Sequence, residues 1–413
     1  MKKTVILLIV VGLVAVGLIG FLLGRGDSRE ASPVAELEVT PAETAEALPG
    51  EPAPDESAPS AGARALDYAA LYASHDPAEV VMEGPDGQLT WGEYFYLLYS
   101  QARQISDYFD SMQMYYGVSD DWDDVAEGED TTYAQLVVDS AAAIGRQFLA
   151  IEGYAADHGV TLTPENEETL RQMLQEDMVN ACGEGATEED FDAHLKEIFM
   201  TRELYDRIQR TNLLYQENFN QVYGQDGALY DEAAAVRYLE ENGYMAAHHI
   251  LLLNSDETTG EALPPEKLEE NRMLMEQWAE ELRAIEDPEA RLARFAELKA
   301  EFCQDGGKAT YPDGYTFTPG TMVPEFEDAT LALEPYGVSD PVESSYGIHL
   351  IMRLPLTAQN LVFGNSPRTA LALAANADYG QTLQEKLDSL QVEIKGGVDS
   401  IDLLQFLQAP VTE

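Results

Sequence analysis

Two short apolar runs, each carrying a histidine and lying about a hundred residues apart, constrain this chain more than any other feature. They read Ala247-His248-His249-Ile250-Leu251-Leu252 and Tyr346-Gly347-Ile348-His349-Leu350-Ile351-Met352. Their β-branched and leucine residues suit buried strands, and two such strands can pair in one sheet. Between them lie Phe302-Cys303-Gln304-Asp305 and the run from Pro319 to Ala329, which includes Met322-Val323-Pro324-Glu325-Phe326. Met322 and Phe326 are spaced i, i+4, which puts them on one face of a helical turn. Taken singly, each feature has an ordinary structural explanation: a core histidine, a turn aspartate in a glycine-rich loop, a core pair. Their joint order and spacing points further.

That order, with those flanks, resembles the parvulin family of peptidyl-prolyl cis/trans isomerases over about a quarter of the chain. The resemblance implies an α+β domain, a small mainly antiparallel sheet with helices around it. It further implies catalytic positions at His249, Asp305 and His349, and a proline pocket at Met322 and Phe326. Cys303 falls on the family's serine, one step from the central acid, and is read as a neighbour. The usual glycine-rich run after the acid is replaced by Tyr311-Pro312-Asp313-Gly314-Tyr315-Thr316-Phe317, so that turn is remodelled. The long segment from Asn254 to Lys267 is acidic where phosphate-directed relatives are basic, so phospho-Ser/Thr-Pro specificity is not expected. No cofactor and no metal are implied.

Residues 1–24 read as a membrane helix. Lys2 and Lys3 precede an uncharged run from Thr4 to Gly24, and about 20 apolar residues span a bilayer. No convincing Ala-x-Ala-like cleavage site stands directly after Leu23, and cleavage is the alternative to an anchor. The positive amino-terminal flank places that end in the cytoplasm and everything after Leu23 outside. Residues 25–65, rich in Pro, Glu, Ala and Ser, read as a solvated linker.

Composition enters through charge. With 24 basic and 75 acidic residues the net charge is −51, which disfavours nucleic acid and anionic lipid as partners. The chain has two cysteines, Cys182 and Cys303, without Cys/His metal spacing, and free thiols are expected. No nucleotide-binding glycine loop or Gly-x-Ser-x-Gly elbow occurs.

Residues 66–243 have mostly helical patterning. Thr90-Trp91-Gly92-Glu93 reads as a capping box opening a helix to about Tyr116. An acidic loop follows, then a helix from Thr132 to His158 ended by Gly159. Thr163-Pro164 starts another, and Thr187 starts a long one expected to reach Tyr223. Tyr94, Tyr96, Tyr99, Met112, Met114, Tyr115 and Tyr116 are read as core rather than surface. A helical segment ahead of a parvulin module resembles the chaperone part of PrsA/SurA-type foldases. In such proteins the tail returns to complete the first domain, which is the expectation for residues 358–413, after a parvulin domain at 244–357.

The sequence therefore predicts a membrane-anchored, extracytoplasmic isomerase and foldase acting on unfolded or nascent secreted chains with X–Pro bonds, its oligomeric state left open. The alternative is a non-catalytic chaperone or scaffold using the parvulin module to bind chains. A third reading is a cell-envelope assembly protein with one fixed partner.

Overall fold

The computed structural model describes residues 64–117, 120–126, 128–364 and 367–408. The expected membrane helix at 1–24 and the expected linker up to residue 63 lie outside these residues. Among the described residues no helix is long and apolar enough to cross a membrane.

In chain order the first elements are α1 (Tyr68–Tyr72), β1 (Val80–Glu83), β2 (Gln88–Thr90), α2 (Trp91–Tyr116), α3 (Tyr133–His158), α4 (Pro164–Cys182), α5 (Glu188–Glu197) and α6 (Arg202–Tyr223). Then come α7 (Glu232–Glu241), β3 (Met245–Leu253), α8 (Pro265–Ala284), α9 (Pro288–Phe302), β4 (Tyr315–Phe317) and α10 (Pro324–Leu331). The chain closes with β5 (Val342–Glu343), β6 (Gly347–Leu354), β7 (Leu361–Val362), β8 (Arg368–Thr369), α11 (Ala370–Ser389) and β9 (Glu393–Ile394). The class is α+β, divided into two compact units. One holds the described residues up to Asn218 together with those from Thr382 onward; the other runs from Phe219 to Gln381.

In the first unit the helix starts follow from local chemistry. Thr90 and Glu93 close a capping box: the Thr90 N–H donates to Glu93 Oε2 at 2.7 Å, and Thr90 Oγ1 accepts from the Glu93 N–H. Thr132 caps α3, which ends at Gly159 in the left-handed region (φ 66°). Thr163 caps α4, with Pro164 at its first position. Trp91, Tyr94, Phe95 and Phe109 of α2 pack with Val138 of α3, Phe191 of α5 and Tyr205 of α6 in one core. The tail joins this unit through β9, which pairs antiparallel with β1 (Met82↔Ile394, Glu83↔Glu393) in a sheet of order β2-β1-β9.

Two expectations fail here. The helix expected from Thr187 to Tyr223 is broken at residues 198–201. Phe199 takes φ 57°, a conformation that strains a side chain bearing Cβ, and its ring packs 5.1 to 5.4 Å from Phe95, Tyr72 and Tyr99. The Met200 N–H closes α5 on the Leu195 carbonyl, and Thr201 Oγ1 caps α6 at the Leu204 N–H. Aromatic packing thus offsets the lost helical turn. The second failure is at the end of α2, where Met114, Tyr115 and Tyr116 are exposed although Tyr94 and Tyr96 are core. They lie beyond Phe109, the last residue of α2 buried in that core. The acidic loop before α3 is not wholly solvated either: Trp122 is buried edge-on to Phe109, and its Nε1 donates to the Arg64 carbonyl at 2.6 Å.

The second unit is built on a sheet of order β5-β6-β3-β4-β7-β8, antiparallel except that β7 runs parallel to β4. Its centre is the β3–β6 pair, in register from Ala246↔Leu354 to Leu253↔Gly347. Side chains alternate across a sheet. Ala246, Ile250, Leu350 and Met352 therefore pack with Trp278 and Phe295 of the helices on one face. Met245, Ala247 and Ile351 pack with Tyr315, Phe317 and Phe326 on the other.

Gly347 opens β6 so close to β3 that a Cβ there would sit 2.2 Å from the Leu252 carbonyl oxygen. Gly347→Ala is expected to lose roughly 1–3 kcal/mol in urea unfolding, the range for overpacking against something that cannot yield. Gly306→Ala, where a Cβ meets open space, should stay within about 0.5 kcal/mol of the parent.

Candidate active site

The β3–β6 register decides where the histidines go. Leu251 stands opposite His349, so His249 lies diagonal to it on the same face. Their rings are 5.3 Å apart, and Phe326 of α10 stands edge-on to both, at 5.3 and 5.7 Å. His249 is 8% exposed and His349 3%, so neither offers a peptide much surface.

Asp305 begins the turn after α9. Its Oδ2 lies 3.2 Å from His249 Nε2 and accepts the Tyr315 hydroxyl at 2.5 Å, while Oδ1 accepts the Gly307 N–H at 3.1 Å. The His249 contact is an ion-pair approach rather than an aligned hydrogen bond, and both ring nitrogens of His249 lack an aligned protein partner. Gly307 is required by this geometry: a Cβ there would meet the Tyr315 hydroxyl at 2.0 Å.

Met322 and Phe326 meet in one apolar cluster, though not as successive turns of a helix. Because α10 starts at Pro324, Met322 belongs to the preceding turn. Glu327 holds it there, its carboxylate accepting the Gly320 N–H at 2.9 Å and the Met322 N–H at 2.8 Å. Cys303 is a buried free thiol beside the site, accepting the Leu251 N–H at 3.4 Å; Cys182 is exposed and also free. All five residues singled out in the sequence, His249, Asp305, Met322, Phe326 and His349, are thus gathered at one face of the sheet.

Sequence reasoning missed Tyr315, Ser344 and Glu327. Tyr315 had one signal, its place in the remodelled Tyr311–Phe317 run. Ser344 Oγ lies 2.7 Å from His349 Nε2 and carried no signal. Behind the sheet, His248 faces Lys299 of α9, whose buried ammonium donates to the Tyr311 and Pro312 carbonyls at 3.0 and 2.9 Å and lies 3.3 Å from His248 Nδ1. That ammonium anchors the turn leading to Tyr315.

Burial and charge separate the protonation states. Burial pushes His349 down to about 4, aided by the nearby His249, so it is neutral at neutral pH. Burial acts on His249 in the same direction, but Asp305 and Cys303 outweigh it and the net shift is upward. Asp305, despite its own burial, is held well below the usual carboxylate range by His249 and Tyr315. Burial and the adjacent Asp305 carboxylate raise Tyr315, so its hydroxyl stays a donor. Burial lowers His248 to about 3, with Lys299 adding to the effect.

Residues 249–354 match the Rotamase family model, described as a PPIC-type PPIASE domain. The second unit therefore carries a parvulin-type rotamase domain. The chain is similar to the foldase protein PrsA of Oceanobacillus iheyensis, 30% identical over 195 residues, 46% of this chain and 55% of that protein. It is also similar to the chaperone SurA of Nitrosospira multiformis, 34% identical over 107 residues, 25% of this chain and 24% of that one. The chain thus spans about half the length, or less, of these curated relatives. The crystal structure of PrsA from Bacillus subtilis aligns over 79% of this chain and 100% of that chain at 16% identity, with a TM-score of 0.23.

The titrations have a definite sign. His349, with a folded value near 4 against an unfolded value of about 6.5, contributes fully above pH 6.5 and loses on the order of 3 kcal/mol as pH falls to 4. His249, raised, contributes below the unfolded value and loses that contribution as pH rises through its folded value. Ring NMR is expected to show His349 titrating near pH 4 and His249 above the ordinary histidine range. In Asp305→Asn, His249 should drop below that range, because burial is then opposed by less; an unmoved His249 resonance would refute the pairing.

Proposed function

We propose that this protein is a peptidyl-prolyl cis/trans isomerase and foldase, anchored to the cell membrane by residues 1–24 with its folded units outside, assisting secreted proteins. The observation that carries the reading is the Asp305 carboxylate, paired with His249 and Tyr315, in a face it shares with the Met322–Phe326 apolar cluster. That this face lies within the segment matching the rotamase family supports it.

The chemistry asked of the site is modest. Rotation about X–Pro must break amide resonance against a barrier of roughly 18–20 kcal/mol, and unaided exchange takes tens to hundreds of seconds. No bond is cleaved, so no nucleophile is needed. Met322 and Phe326 hold the proline ring while the preceding carbonyl swings past Asp305. The fixed charge and the polar edge around it favour the twisted amide over either planar form, which is the differential binding that catalysis needs. His249 and His349, nearly enclosed, act by positioning: His249 holds Asp305 ionised, and neutral His349 packs beside His249 with its other nitrogen against Ser344.

The foldase part of the reading draws on the first unit. A groove of about 850 Å³ lies there, lined by apolar Leu136, Ile144, Leu387 and Leu390 and by charged Glu129, Asp139, Arg146, Asp388 and Asp399. Such a mixed groove suits loose retention of chain segments that carry both apolar and polar groups during isomerisation. The non-catalytic reading has one observation in its favour: the glycine-rich run after the central acid is replaced by Tyr311–Phe317. The anchoring rests on the uncharged run from Thr4 to Gly24 behind Lys2 and Lys3.

The full-length protein in detergent is expected to accelerate isomerisation in short X–Pro peptides, and folded Asp305→Ala and Met322→Ala variants to lose at least about tenfold in kcat/KM, as for removal of one electrostatic or binding contact. No acceleration on any peptide, with aggregation of a denatured client still suppressed, would leave the chaperone reading standing instead. Deleting residues 2–24 should move the protein from the membrane fraction to the soluble one. Retention in the membrane fraction would refute the anchor.

A further inference from the structure

The chain beyond the family-matched residues adds a strand to the isomerase sheet, and with it an aromatic side chain at the edge of the site. β7 pairs parallel with β4 (Thr316↔Val362), and the Phe363 N–H donates to the Thr316 carbonyl at 2.7 Å. The next residue is clamped twice by Tyr311, whose hydroxyl donates to the Gly364 carbonyl at 3.1 Å and accepts the Gly364 N–H at 3.2 Å. The backbone is therefore fixed on both sides of the Phe363 ring. That ring leans on Tyr315 at 5.5 Å and Tyr311 at 5.4 Å, yet Phe363 remains 39% exposed. Tyr311 and Tyr315 themselves are each 5% exposed, so Phe363 presents the accessible surface of this wall.

The wall is continuous with the site. His349, His249, Tyr315 and Phe363 form a row of rings separated by 5.3, 5.4 and 5.5 Å. Tyr315 is the shared member, its hydroxyl on Asp305 and its ring against Phe363. Phe363 therefore packs against the residue that binds Asp305, the carboxylate at which the isomerase reading places the carbonyl preceding proline. An exposed aromatic ring whose backbone is already ordered binds apolar partners without a large entropic penalty.

We propose that Phe363, backed by Tyr311 and Tyr315, is a substrate-contacting residue that selects a large apolar or aromatic side chain within two residues of the proline. The proposal rests on the isomerase reading above and adds the substrate class. It also extends the isomerase machinery past residue 354, where the family match ends. Aromatic contacts of this geometry alter affinity by roughly three- to tenfold beyond simple burial.

The experiment uses the full-length protein and a peptide panel with Gly, Ala, Glu, Leu or Phe at each of the two positions on either side of proline. Phe363→Ala is expected to lower kcat/KM about three- to tenfold on Leu- and Phe-bearing peptides and to leave Gly-bearing peptides unchanged, with Phe363→Leu retaining part of the preference. Equal losses on every peptide, Gly included, would make Phe363 a prop for Tyr315 and overturn the proposal; so would no loss at all. A binding readout separates this from the isomerase reading. Ring resonances of Phe363 should shift on adding a Phe–Pro peptide and not a Gly–Pro peptide. If the wild type accelerates nothing yet shows that shift, the aromatic subsite stands and the isomerase reading falls. Without the shift the subsite is refuted whatever the rates.

Discussion

The antiparallel ladder between β3 and β6 is the constraint on which the second unit depends. Because successive side chains point to opposite faces, its register assigns every residue of two nearly continuous apolar runs to one of two cores. The same assignment sends His249 and His349 to the face covered by α10 and sends His248 to the face covered by α9. A slip of one residue in β3 would bring His248 to the site face and carry His249 to the other. Gly347 marks the end of the ladder, where the two backbones approach too closely for any side chain.

Around that ladder the polar groups form two tiers with opposite electrostatics. On the site face, a carboxylate held ionised sits beside a histidine driven toward its charged form. On the far face, a buried lysine and a histidine driven toward neutrality brace the turn at Tyr311–Pro312. The two tiers meet in the short chain from that turn to Tyr315. Position of the Asp305 carboxylate thus depends on contacts made from both sides of the sheet.

Much of this was legible in the chain, and the unread parts share a physical cause. Local signals were reliable: Thr90 with Glu93, Thr163 with Pro164, and Gly159 all mark helix ends that depend on neighbours in sequence. The order of His249, Asp305, Met322, Phe326 and His349 could be read because it follows a family pattern. What could not be read depends on contacts distant in sequence. Phe199 breaks a helix without glycine or proline because three aromatic rings from elsewhere receive it. Trp122 enters the core from a loop whose acidic composition argues for solvent. Met322 joins Phe326 through the Glu327 carboxylate rather than through helical periodicity. Tyr315, Ser344 and Phe363 acquire their meaning from partners that no local spacing announces.

The return of the tail has a bearing on how the molecule is made. β1 lies near the start of the described chain and its partner β9 near the end, with the whole second unit translated between them. Closing so long a loop is entropically affordable, since the penalty grows only as the logarithm of length, but it is kinetically late. A chain emerging in order from its amino terminus would therefore complete the histidine-bearing unit while the helical one still lacks a strand. For that interval the newborn protein holds a finished rotamase-family unit and an unsealed helical core on one and the same polypeptide.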